Sequence, residues 1–350
     1  MRKIAVIPGD GIGKEVVVQA LATLEALEQT SDQRYGIEIL DFGADRYLAT
    51  GVTLPEGQIE AFRGYDAILL GALGDPRVPD NAHARDIIFG IRFGLDLYVN
   101  QRPVRLLHES LCPLKARTVA DVDFVVFREN TEGAYVDVGG VFKQGTPDEI
   151  AINEDVNTRK GVERILRHAF EHARARGGLG VAMADKSNAL RHAHGLWLRV
   201  FDEVGKEFPE IERRHYYADA LALQMVRAPE TFDVIVTSNL FGDLLTDLGA
   251  ALQGGLGMAA SANLNPGGVC MFEPVHGSAP PLAGRNVANP MGAILTVGMM
   301  VEHLGFAAGA RRIESAVVAA LEAGETTPDL GGTRGTDQVG SWIAERLRRG

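Results

Sequence analysis

The sequence predicts an α/β fold in one large or two medium domains. Three observations carry that expectation. Short apolar runs of strand character alternate with longer helical patterns, a strand opens through a glycine turn into a helix, and 350 residues exceed what one core usually holds. The runs are Ile4–Ile7, Ala67–Leu70, Phe124–Phe127 and Val234–Val236, each closed by a glycine or polar cluster. After Gly13, Val17, Ala20, Leu21, Leu24 and Leu27 fall at helical spacing, with Glu15 in the first turn where the helix dipole favours an anion. Further on, Gly139–Pro147 and the Ile150–Ile152 alternation read either as an arm leaving the main body or as an ordinary surface hairpin. No internal repeat or low-complexity linker divides the chain.

Composition narrows the function classes. Hydrophobic residues make up 46% and charged residues 23%, the balance of a folded protein rather than a disordered one. A net charge of −11, with no basic run, excludes a nucleic-acid binder, because phosphate contacts need a positive surface. Cys112 and Cys270 are the only cysteines, too few for a disulfide framework or a zinc site, and they fit a reducing compartment. Neither a secretory signal pattern nor a bilayer-length apolar run is present, so a cytoplasmic protein is expected.

The opening turn, Gly9-Asp10-Gly11-Ile12-Gly13, invites a dinucleotide-binding interpretation, but Val16 stands where Gly-x-Gly-x-x-Gly needs its last glycine. A tight turn requiring positive φ explains it better. More specific is Phe241-Gly242-Asp243-Leu244-Leu245-Thr246-Asp247, where Asp243 and Asp247 share one helix face among apolar neighbours. Two like charges held there are explained by a hard divalent cation, against the plainer account of a solvated face. Arg92 sits within Ile91-Arg92-Phe93, Arg102 before a proline and Arg128 at the end of an expected strand. Converging, they suit a substrate with two carboxylates, whereas any one alone reads as a structural ion pair. Lys186 follows the Val181–Ala184 strand, where α/β folds place catalytic groups, and Tyr135 lies seven residues past Arg128. A lysine beside a metal suits a base and a tyrosine a proton donor. His192 and His194 read as surface or packing groups.

Together these pieces resemble the isocitrate/isopropylmalate dehydrogenase family over essentially the whole chain. Four blocks carry the resemblance: Tyr98-Val99-Asn100-Gln101-Arg102-Pro103, Arg128-Glu129-Asn130-Thr131-Glu132-Gly133, Asn239-Leu240-Phe241-Gly242-Asp243 with Asp247, and Phe272-Glu273-Pro274-Val275-His276-Gly277-Ser278-Ala279-Pro280. The resemblance implies the two-domain fold of that family, which is not a Rossmann fold. Its large cofactor-binding domain would comprise residues 1–98 and 252–350. Residues 99–251 would form a smaller domain with the dimer interface and an arm at about 136–155.

It also implies roles. Arg92, Arg102 and Arg128 would clamp the substrate carboxylates. Asp243 and Asp247 would hold Mg²⁺ or Mn²⁺, with Asp219 supplied by a second subunit of an obligate homodimer. Lys186, also from the second subunit, would assist deprotonation of the substrate hydroxyl, and Tyr135 would protonate the enol left by decarboxylation. The nicotinamide cofactor would lie across Glu273, His276, Gly277, Ser278 and Ala279 and near Asn289.

Members differ just before the first arginine, and here Ile87-Ile88-Phe89 precede it, with Ile88 and Phe89 as side-chain contacts. An isocitrate enzyme would show Ser at 86 and Asn at 88, a homoisocitrate enzyme Arg at 89. An apolar wall rewards an isopropyl group and penalises an unpaired carboxylate, which favours oxidative decarboxylation of 3-isopropylmalate to 4-methyl-2-oxopentanoate in leucine biosynthesis. Arg85 and the spelling of the Arg128–Gly133 block keep D-malate or tartrate as the rival substrate. Pro281 replaces the Asp with which NAD-preferring relatives bind the ribose, while Pro281-Leu282 also lacks the Lys-Tyr of NADP-preferring ones. NAD is expected, and Arg285 and Arg334 keep NADP open. A non-catalytic regulatory subunit is the alternative of another class, and the retained metal, base and arginine residues weigh against it.

Overall fold

The computed structural model describes residues 1–177 and 180–349. Strands in chain order are β1 (Arg2–Gly9), β2 (Tyr35–Ile39), β3 (Ala67–Ala72), β4 (Val99–Arg105), β5 (Asp123–Glu129), β6 (Gly139–Phe142), β7 (Ile150–Asn153), β8 (Gly180–Asp185), β9 (Glu212–Tyr217), β10 (Val234–Thr237), β11 (Ala260–Leu264) and β12 (Cys270–Pro274). The helices are α1 (Gly13–Gln29), α2 (Ala44–Thr50), α3 (Gln58–Phe62), α4 (Ala82–Gly94), α5 (Arg159–Arg176), α6 (Ala193–Gly205), α7 (Ala218–Arg227), α8 (Asn239–Leu252), α9 (Met291–His303), α10 (Ala307–Glu322) and α11 (Thr336–Arg349). Every strand expected from an apolar run is present. No described helix is long and apolar enough to cross a membrane.

The chain folds as two compact units. The first gathers Met1–Leu97, Arg105–Val119 and Ala250–Gly350. Its strand order is β2-β1-β3-β12-β11. The first four strands run parallel and β11 is antiparallel to β12, which departs from the all-parallel, doubly wound dinucleotide order. β3 is buried along its whole length, as expected of a parallel strand covered on both faces. α1 buries Val16, Val17, Ala20, Leu24 and Leu27 and packs on α11.

The second unit gathers Tyr98–Val104 and Ala120–Gly249. Its order is β4-β5-β10-β8-β9, with β5, β10, β8 and β9 parallel. β9, spelled Glu-Arg-Arg-His-Tyr-Tyr, carries no apolar run because it is an exposed edge whose charges discourage further pairing. β6 and β7 form a separate antiparallel hairpin in which every residue is exposed, including Val141, Phe142, Ile150 and Ile152.

Candidate active site

Within the second unit, β5 delivers Arg128 opposite Thr237 of β10, and α8 begins two residues further on at Asn239. The guanidinium is almost wholly buried, at 2% exposure. Its Nε and Nη2 donate to Asn239 Oδ1 at 3.0 and 2.7 Å, and its Nη1 donates to Asp243 Oδ1 at 2.5 Å. Gly242 makes this possible, since a Cβ there would lie 2.4 Å from Arg128 Cγ. Arg102 on β4 is fixed similarly, donating from Nε to Asn100 Oδ1 at 2.7 Å and from Nη1 to Thr246 Oγ1 at 2.6 Å. Its Nη2 lies 3.6 Å from Asp243 Oδ1.

The Tyr135 hydroxyl donates to Asp243 Oδ2 at 3.1 Å, and its ring sits under Arg128 at 5.3 Å. Burial, and then the Asp243 charge, hold its phenol above the usual range, so it remains a proton donor. Asp247 lies one turn beyond Asp243 on α8 and accepts no hydrogen bond among the described residues. Burial, and then the Asp243 carboxylate, raise it above the usual range. Arg102, Arg128, Tyr135, Asp243 and Asp247 are thus brought together in one chain.

Lys186, at the end of β8, and Asp219, in the first turn of α7, form a different pair, joined Nζ to Oδ1 at 2.5 Å. The ammonium holds the exposed Asp219 carboxyl below its usual range. Among the described residues no three His, Cys, Asp or Glu side chains gather as a metal set. His194, read from sequence as a surface or packing group, is buried, and its Nδ1 accepts the Lys186 backbone N–H at 3.1 Å. Nδ1 being the acceptor, Nε2 carries the proton towards Asp155, 3.3 Å away. Sequence reasoning missed Asn239, Asn100 and Thr246 as the groups that hold the arginines. Nothing in local spacing marks them, although Asn239 and Asn100 sit inside the recognised blocks.

In the first unit, α4 carries Arg92, whose Nη2 donates to Glu273 Oε1 at 2.9 Å. Asn263 Nδ2 reaches the same oxygen at 2.8 Å, and Arg92 Nε is buried without a partner. Ile87 is buried in the core, Ile88 is half-buried and packs against the same core cluster, and the half-buried Phe89 stacks on Phe93 at 5.6 Å. Arg85 is exposed, with Asp86 3.9 Å away. The His276–Ala279 loop follows β12. His276 is buried, which lowers its basicity, and its Nε2 has no partner. Ser278 O accepts the Ile12 N–H at 2.9 Å, and Ala279 takes φ +40°. Asn289 is held by Met291 N and Asp329 at 3.0 and 3.1 Å, where it starts α9.

Comparison with known proteins makes explicit the class to which this fold of two α/β units belongs. The isocitrate/isopropylmalate dehydrogenase family model matches residues 3–343. The 3-isopropylmalate dehydrogenase of Thermobifida fusca is 47% identical over 347 residues, 99% of this chain and 97% of that one. That of Bifidobacterium longum is 46% identical over 349 residues, 99% and 98% of the two chains. Isocitrate dehydrogenase from Methylococcus capsulatus superposes with a TM-score of 0.90 at 38% identity, covering 99% of this chain and 100% of that one. A β-decarboxylating dehydrogenase from Thermococcus kodakarensis gives 0.81 at 36%, covering 100% and 97%. The chain belongs to the isocitrate/isopropylmalate dehydrogenase family.

Proposed function

We propose that the protein is a 3-isopropylmalate dehydrogenase that oxidises its substrate with NAD and releases the β-carboxylate as carbon dioxide, giving 4-methyl-2-oxopentanoate for leucine biosynthesis. The observation that carries the chemistry is the Arg102–Arg128–Asp243–Tyr135 cluster. The choice of an aliphatic substituent rests on the half-buried, apolar Ile88 and Phe89, which supply no charge to pair a further carboxylate.

The residues fit the groups this reaction needs. Asp243 and Asp247 are hard oxygen donors whose mutual repulsion a divalent cation relieves, with Asp219 of the partner subunit as the third ligand. The unpartnered Nε2 of His276 and the αL backbone of Ala279 suit a loop that receives a cofactor. When bound, the nicotinamide accepts a hydride and Mg²⁺ or Mn²⁺ acts as a Lewis acid on the carbonyl oxygen being formed.

The chain does the rest. Arg92, Arg102 and Arg128 fork the two carboxylates and orient the one that departs. Lys186 of the partner subunit assists deprotonation of the substrate hydroxyl, and Tyr135 returns a proton to the enol carbon after carbon dioxide leaves. NAD rather than NADP is supported by Arg334, whose fork is already occupied by Glu325 at 2.5 and 2.9 Å. A homodimer is supported by the apolar faces that the second unit exposes, namely Phe142 and Ile150 on the hairpin, Leu223 on α7 and Leu244 on α8. The two compact units serve as the two domains.

Steady-state kinetics with 3-isopropylmalate, D-malate, tartrate, isocitrate and homoisocitrate, each with NAD and NADP, test this assignment. The highest kcat/KM is expected for 3-isopropylmalate with NAD. An equal or higher value on D-malate would overturn the substrate, and a preference for NADP would overturn the cofactor.

A further inference from the structure

The turn that opens the fold holds a buried charge that the reaction described above does not use. Asp10, 2% exposed, lies between Gly9 and Gly11. Its Oδ1 accepts the Ala44 N–H at 2.7 Å where α2 begins. Its Oδ2 accepts the Gly74 N–H at 2.9 Å and lies 2.8 Å from Nε2 of His83, on α4. His83 has no exposed surface, stacks with Tyr47 at 6.0 Å, and leaves Nδ1 without a partner. A carboxylate only accepts, so Nε2 donates to Asp10, and Nδ1 stands buried without a hydrogen-bond partner. Such a group in a packed core costs stability unless it serves a purpose.

The connected segments suggest that purpose. The Asp10 turn sits against the 278 loop: Ile12 N–H donates to Ser278 O, and a Cβ on Gly11 would lie 2.0 Å from that oxygen. Gly74 approaches the same serine, with a Cβ position 3.0 Å from Ser278 Oγ. On the other side, His83 lies on α4, about one and a half turns before Ile88 and about two and a half before Arg92. We infer that the Asp10–His83 pair is a positioning element that couples the cofactor loop to the helix reading the substrate's side group, so that the position of one sets the other. The inference rests on the functional reading above, which assigns the loop to the cofactor and Ile88 and Phe89 to the substrate.

Two polar substitutions separate this coupling from plain packing. A glutamine amide nitrogen reaches the place of Nε2, while an asparagine amide stops at the place of Nδ1, short of Asp10. With the intact dimeric enzyme, H83Q is expected to keep the NADH Kd, from fluorescence titration, and the ratio of kcat/KM for 3-isopropylmalate over D-malate within about threefold. H83N is expected to weaken NADH binding and to lower that ratio, each by about tenfold, with kcat on 3-isopropylmalate changing less. Equal behaviour of H83N and H83Q overturns the coupling, as does failure of both to fold, which would make the pair an element of core stability alone. Inactivity of the unaltered enzyme on every acid would instead sink the functional reading beneath it.

Discussion

Arg128 and Arg92 are both buried guanidiniums in the same protein, and they are held in different ways. Arg128, in the second unit, is gripped on three nitrogens by Asn239 and Asp243 and roofed over the Tyr135 ring. Arg92, in the first, donates to Glu273 from Nη2 and keeps its Nε unpartnered. Around Arg128 the protein has fixed a charge network in advance, which is what stabilising developing charge requires. Around Arg92 and the 278 loop stand half-buried apolar side chains, a tight glycine turn and backbone contacts. Under the proposed function, the region around Arg128 would perform the chemistry and that around Arg92 would select and seat ligands.

The contrast breaks most sharply at Arg128. Arg128→Lys replaces a fork with a point charge and strands Asn239 and Asp243, so kcat/KM is expected to fall about 10³-fold, on the order of 4 kcal/mol. A loss confined to tenfold would mean that the grip is structural. Next in size, Tyr135→Phe should lower kcat about 10²-fold, the scale of a positioned general acid, with little change in KM. Because the phenol is held above its usual range, the native kcat should show no loss from its ionisation until the pH exceeds about 10. A KM effect without a kcat effect would move Tyr135 from chemistry to binding.

In the region around Arg92 the expected effects are smaller and depend on the substrate. Ile88→Ala should cost about tenfold in kcat/KM on 3-isopropylmalate and almost nothing on D-malate, which has no side group to lose contact. Equal losses on both acids would show that Ile88 only packs.

The smallest effect is on stability. Asp247 is held above the usual carboxylate range, so its contribution is fully present below its unfolded pKa and is lost as pH rises through its folded pKa. At neutral pH its charge is therefore a cost in the metal-free enzyme. Asp247→Asn should raise the metal-free Tm by a small amount at neutral pH, not raise it in acid, and abolish the Tm gain from Mn²⁺. A variant that keeps the Mn²⁺ gain would remove Asp247 from the metal set.

The same contrast explains what could be read from the sequence. Phe124–Phe127 and Val234–Val236 declare themselves because parallel strands covered on both faces need unbroken apolar runs. The edge strands β2 and β9 are mostly exposed and leave no such mark. Asp243 and Asp247 were legible because a four-residue spacing fixes a shared helix face. The grip on Arg128 was not, because Asn239 and the space at Gly242 meet it from more than a hundred positions away. His194 looked inert in sequence for the same reason, since its partners Lys186 and Asp155 are set by tertiary packing. Of the triplet before Arg92, only the folded helix shows that Ile87 is fully buried while Ile88 and Phe89 are half-buried.

The most direct test is stoichiometric. With Mn²⁺ and NAD present, the NADH formed, the carbon dioxide released and the 4-methyl-2-oxopentanoate recovered are each measured per 3-isopropylmalate consumed. One of each is expected. NADH without carbon dioxide, or no turnover while D-malate is oxidised, would contradict it.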